Sequence, residues 1–216
     1  MTFSRRRIAL LATLLVTALV VVGYLYTSSR NSHAAAPKAS ASAAPSASAG
    51  PAPAVKSVHS PDKVAVDETL AAGQCKARTV DANAGLYLPD PACTPGAIDP
   101  AVTQDNLAST ICTSGYTTTV RAGTTQAKKL SLQQYGQTTA PSTEYDHLIS
   151  LQLGGTNSVS NLWPEPNRAG APGTTNPKDA IETRLNKAVC AHKVTLAAAQ
   201  KAIAANWVTA EKGLGL

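Results

Sequence analysis

The sequence predicts an α+β domain: a pair of strands followed by two helices, behind a loop-rich N-terminal part stapled by disulfides. Three observations carry this. An apolar alternation runs from His147 to Leu153 and meets Gly154-Gly155. The run "VSNLWP" then offers a returning strand. Two helical patterns follow, one starting at Asn176-Pro177 and one at Thr195, while four cysteines are spread from Cys75 to Cys190.

The 216-residue chain divides by composition. Arg5, Arg6 and Arg7 precede an uncharged, apolar run from Ile8 to Tyr26. Basic residues before an apolar run mark an export signal or an anchor, and this length favours an anchor of about 20 residues. Cleavage near Ala34-Ala36, with secretion, is the alternative. The basic flank stays in the cytoplasm, so the rest is expected outside, tethered to the membrane by residues 8–26. Residues 27–66 are rich in Ala, Ser and Pro. Such a stretch cannot bury enough apolar surface to offset its ordering entropy and reads as a tether. The folded domain is expected over 67–216.

The net charge of +6 says little about that domain. Seven Lys and Arg lie before residue 65 against Asp62 alone, which leaves twelve basic and twelve acidic residues after it. A basic surface for tight duplex binding is therefore not expected, since phosphate neutralisation dominates such affinity.

Along the domain, residues 67–100 read as Gly/Pro/Asp-rich loop. Thr103 can cap a short helix running to Cys112. The β-branched "YTTTVRA", 116–122, reads as a strand. "KKLSLQQYG" suits a short helix ended by Gly136. His147 to Leu153 reads as a strand of period two, turned by Gly154-Gly155, with the second strand ended by Pro164. Asn176 is a helix cap with Pro177 in the first turn, and Ile181, Leu185 and Val189 form a buried stripe. In the last helix Leu196, Ala199, Ile203 and Trp207 do the same. Trp163 and Trp207 read as core, and His192 as an exposed helix end. Cys75, Cys93, Cys112 and Cys190 contain no C-x-x-C pair, so two disulfides are expected rather than zinc. Of three pairings, Cys75–Cys93 and Cys112–Cys190 is preferred.

Asp146-His147, Gly154-Gly155, Asn161-Leu162 and the helix start at Asn176 with Lys178-Asp179 together resemble the HNH, or ββα-metal, endonuclease family. The blocks "CTPGAIDPAVTQDNLASTIC", "DHLISLQLGG", "NLWPEPN", "KDAIETRLNKAVC" and "AAQKAIAANW" look closest to an exported bacterial branch of it, over roughly residues 75–208. The resemblance implies hydrolysis of nucleic-acid phosphodiesters, DNA before RNA, by a monomer using one divalent ion, Mg²⁺ or Mn²⁺. It implies His147 as general base, Asp146 as metal ligand, and Asn161 tying the hairpin loop and orienting His147. A neutral imidazole can take a proton from water near pH 7, and hard oxygen ligands suit Mg²⁺. The family's third position falls where "NRAGAPGTTN" stretches the spacing. Asn176 is the first candidate for it, Asn167 the second and Glu182 the third. Lys178 could meet a phosphate or sit on the helix surface, the latter preferred, and Asn176 could instead spend its oxygen on capping. Arg121 and Arg168 are possible phosphate contacts with no pattern behind them. Ser150 stands where the family carries Pro, and its structural-zinc cysteines are absent. The same scaffold without catalysis, as a cell-envelope binding domain, is the rival reading.

Overall fold

A computed structural model describes residues 54–60, 62–138 and 142–216. The apolar run at 8–26 and most of the expected tether lie outside these residues. Among those described, no helix is long and apolar enough to cross a membrane.

The chain enters through β1 (Lys56–Ser57), then passes through β2 (Arg78–Asp81), β3 (Leu86–Leu88) and β4 (Ala97–Ile98). Strands β2 and β3 form an antiparallel hairpin; β1 lies parallel to β4. The pairing of β1 falls inside the stretch read as tether. Lys56 and Val58 donate to the Gly96 and Ile98 carbonyls, and Ala65 exchanges backbone bonds with Asn157 and Val159. Residues 54–60 and 62–67 are thus a strap laid across the domain, and the folded part begins earlier than residue 67. A repetitive composition does not exclude a backbone that borrows partners from an existing sheet edge.

Thr103 caps a 3₁₀ turn at Gln104–Ser109. The segment read as a strand at 116–122 is instead a short helix, α1 (Tyr116–Val120). Gly115 enters it at φ 82°, a left-handed turn that directs the chain into a helical coil rather than alongside a strand. Helix α2 (Thr125–Gln134) follows and gives way to Gly136, as expected.

The expected strand pair is present with different boundaries. Strand β5 (Glu144–His147) pairs antiparallel with β6 (Leu162–Glu165), Asp146 opposite Trp163 and Glu144 opposite Glu165. The period-two stretch after His147 is not strand. Leu148 and Ile149 are both sealed in the core, so burial does not alternate there, and Ser150 caps a 3₁₀ turn at Leu151–Leu153. Gly154-Gly155 is accordingly not the hairpin turn; fourteen residues, 148–161, separate the strands. Gly154 ends the 3₁₀ turn at φ 71°, and a Cβ on Gly155 would collide with the Ile149 carbonyl. Pro164 lies within β6 rather than ending it.

Helix α3 (Pro177–Cys190) begins as predicted. The Asn176 side chain accepts from the Lys178 amide, and Asp179 reaches back to the Asn176 amide. Thr195 caps α4 (Leu196–Asn206), and a short α5 (Ala210–Gly213) closes the chain. Leu185, Val189, Leu196, Ala199, Ile203 and Trp207 pack with Leu148, Ile149, Leu153 and Trp163 in one core. Cys75–Cys93 and Cys112–Cys190 are disulfides, the second joining the segment before α1 to the end of α3. Two disulfides fit an exported protein in an oxidising compartment.

Candidate active site around Asp146 and His147

Strand β5 carries both residues, and their neighbours decide what each can do. His147 is 4 % exposed, and its Nε2 lies 3.1 Å from Asn157 Oδ1. Burial depresses its pKa to about 4 against the opposing pull of Asp146 and the Asn157 bond; Arg121 and Lys178 push further in the same direction. The imidazole is therefore neutral near pH 7, the form a general base needs.

Asp146 faces Lys178. The Lys178 side chain is sealed from solvent, and its ammonium donates to Asp146 Oδ2, to Glu182 Oε1 and, at 2.7 Å, to the His147 carbonyl. All three of its protons are placed. Helix α3 makes this possible: Lys178 and Glu182 are one turn apart on the face that α3 lays on β5. The expectation of a helix-surface lysine is thus corrected. Burial disfavours the ammonium, but Asp146 and Glu182 outweigh it and hold its pKa well above the ordinary value. Burial likewise works against the Asp146 carboxylate, yet Lys178 keeps it below the usual range. Burial raises Glu182 despite Lys178.

Two further carboxyls belong to the cluster, and neither was foreseen. Glu165 is sealed, and no donor reaches either of its oxygens. Burial, reinforced by Asp146, pushes its pKa well above the usual carboxyl range. Glu144, directly across from Glu165, is pushed up to about 7 by burial and by Asp146. Their signal in the sequence is the period-two relation of Glu144 to Asp146, visible only once β6 is known to return beside it in this register.

The three candidates for the family's third position are each engaged by other groups. Asn176 spends its oxygen on the Lys178 amide, at 2.8 Å, and its nitrogen on Glu144. Asn167 holds the loop before α3: its nitrogen donates to the Gly173, Thr174 and Thr175 carbonyls and its oxygen accepts from the Arg168 amide. Among the described residues, no group of three or more His, Cys, Asp or Glu side chains is arranged to hold an ion. Glu182, the third candidate, does meet Asp146, but across the ammonium of Lys178. The residues as folded do not fit a divalent ion, because a lysine supplies the compensating charge where one would stand.

Asn161 ties the loop, in more detail than expected. It is fully buried; its oxygen accepts from the Ile149 and Ala97 amides, and its nitrogen donates to the Ile149 and Thr156 carbonyls. It does not touch His147, however. The residue that does is Asn157, which sequence periodicity cannot single out because it lies in an irregular loop. Arg121 follows α1 directly, is exposed, and makes no ion pair with a described residue; Arg168 is exposed in the loop before α3.

No family model matches the chain, and neither a curated protein nor a solved structure matches it.

Proposed function

We propose that the chain is an exported endonuclease that hydrolyses nucleic-acid phosphodiester bonds with low sequence specificity, DNA in preference to RNA. The observation that carries this reading is His147: a buried, neutral imidazole at the end of β5, beside Asp146, with a side-chain amide on one nitrogen. His147 takes the proton from the attacking water. Asp146 keeps a negative potential next to the imidazole and stabilises the imidazolium once formed. The balanced charge of the domain supports weak, sequence-tolerant contact with the substrate rather than tight duplex binding. Any divalent ion, Mg²⁺ or Mn²⁺, would have to arrive on the substrate phosphates, because Lys178 already pairs with the Asp146 and Glu182 carboxylates.

Lys178 favours a second reading. A carboxylate cluster neutralised from within suits a scaffold that binds in the cell envelope without catalysis. The experiment that separates them incubates the disulfide-bonded protein with plasmid and with single-stranded nucleic acid, in Mg²⁺, Mn²⁺ or chelator, beside His147→Ala. Cutting that vanishes in His147→Ala is expected. A folded wild-type protein that cuts under no condition would leave the scaffold reading standing.

A further inference from the structure

The side chain of Asn157 is held in one orientation by groups outside the strand pair. Its Nδ2 donates to the Ser60 carbonyl at 2.9 Å and to the Val120 carbonyl at 2.6 Å. A carbonyl can only accept, so the nitrogen end is fixed toward those two groups and the oxygen end toward His147. An amide oxygen also only accepts. The hydrogen in the 3.1 Å contact between His147 Nε2 and Asn157 Oδ1 must therefore sit on Nε2. In a neutral imidazole that leaves Nδ1 as the nitrogen with the lone pair. Nδ1 has no hydrogen-bond partner among the described residues, whereas Nε2 is taken by Asn157.

We propose that Asn157 is the positioning residue of His147: it fixes the Nε2–H tautomer and makes Nδ1 the nitrogen that accepts the proton. For catalysis this rests on the endonuclease reading; the tautomer assignment stands without it. In the reaction a water proton passes to Nδ1, giving an imidazolium that donates to Asn157 through Nε2–H. The remaining hydroxide forms the new P–O bond as the bond to the leaving oxygen breaks, and that oxygen is protonated from solvent. The inference also gives the strap a role. Ser60 belongs to it and Val120 ends α1, so two elements remote from β5 in sequence set the face of the imidazole through one amide. Ala65 adds to this by donating to the Asn157 backbone carbonyl at 2.8 Å.

The test uses the full-length, disulfide-bonded chain labelled with ¹⁵N at histidine, with His147 assigned by loss of its signals in His147→Gln. At neutral pH the long-range ¹H–¹⁵N pattern of a single Nε2–H tautomer is expected in the wild type. Asn157→Ala should give a mixture of tautomers. An Nδ1–H tautomer in the wild type overturns the proposal, and this outcome needs no variant to fold. An unchanged pure Nε2–H pattern in folded Asn157→Ala overturns it too. In nuclease assays Asn157→Ala should lower kcat by roughly tenfold to hundredfold with KM little changed, the range seen when the partner that orients a ligand or base is removed. A wild-type protein with the expected tautomer and no nuclease activity would refute the endonuclease reading and leave the tautomer assignment intact.

Discussion

Replacing Lys178 with methionine keeps the side chain out to Cε and removes the ammonium. Three hydrogen bonds go with it: two to carboxylates, and one to the His147 carbonyl at 2.7 Å. Charge-assisted bonds contribute roughly 1.5–3 kcal/mol each and a neutral one about 1 kcal/mol. The gross loss is then about 4–7 kcal/mol. Against it stand the desolvation of the ammonium and up to about 2 kcal/mol of lysine side-chain entropy. A net cost of about 3–5 kcal/mol remains, matching what is seen when one partner of a buried ion pair is deleted. That is a large part of the roughly 5–15 kcal/mol that holds a domain. Chemical denaturation at pH 7 reads it as a lowered midpoint. The triple variant Lys178→Met, Asp146→Asn, Glu182→Gln removes the stranded charges and should recover most of the loss. A cost below about 1 kcal/mol for Lys178→Met, or no recovery in the triple variant, would refute the account of Lys178 as the internal counter-ion. Mn²⁺ adds a further arm: if an ion can take the vacated place, saturating Mn²⁺ at about 100 times its Kd should return about 2.7 kcal/mol to Lys178→Met.

Other perturbations probe other parts of the same construction. Asn161→Ala strands the Ile149 amide and carbonyl and the Ala97 amide, while the Thr156 carbonyl keeps the Ser158 amide, and should cost about 3–5 kcal/mol in the same denaturation assay. Gly155→Ala should lose about 3 kcal/mol or more, since Ile149 cannot move away without disturbing the core; a midpoint within error of wild type would contradict the close approach. The pH dependence of stability carries two opposed contributions. His147 binds its proton in the unfolded chain near 6.5 but in the folded one only near 4, so its contribution is present above 6.5 and lost as pH falls toward 4. Glu144, raised to about 7 in the fold, works the other way and destabilises as pH rises from 4.5 to 7. His147→Gln should therefore flatten the acid side of the curve, and Glu144→Gln should relatively gain stability toward pH 7, both read from denaturation midpoints between pH 4 and 8. Cys112→Ser with Cys190→Ser should cost about 4 kcal/mol against about 3 kcal/mol for the Cys75–Cys93 pair, because the separations closed are 78 and 18 residues.

Local rules settle much of this molecule from the sequence alone. Asn176, Pro177 and Asp179 start α3 wherever the helix packs, because capping is an exchange among neighbours in the chain. The stripes Ile181-Leu185-Val189 and Leu196-Ala199-Ile203-Trp207 declare their buried faces by spacing. Cysteine number and separation are enough to favour the two disulfides, and the Asp-His pair is marked as the place to look. What the sequence left undecided depends on partners far along the chain. Tyr116–Val120 has strand-forming residues but no strand beside it, so it coils. His147 to Leu153 alternates by letter, yet only its first residue belongs to a strand, because the core takes both Leu148 and Ile149. Lys178 looks like a surface lysine until β5 and α3 meet and two carboxylates close on its ammonium. Asn157 is an ordinary loop asparagine until the Ser60 and Val120 carbonyls fix which end faces His147. Burial, counter-charge and the orientation of an amide are properties of groups brought together in space. For that reason the Asp-His pair could be picked out at residues 146–147, while the burial of His147, the amide that faces it and the counter-charge on Asp146 were decided by the tertiary structure.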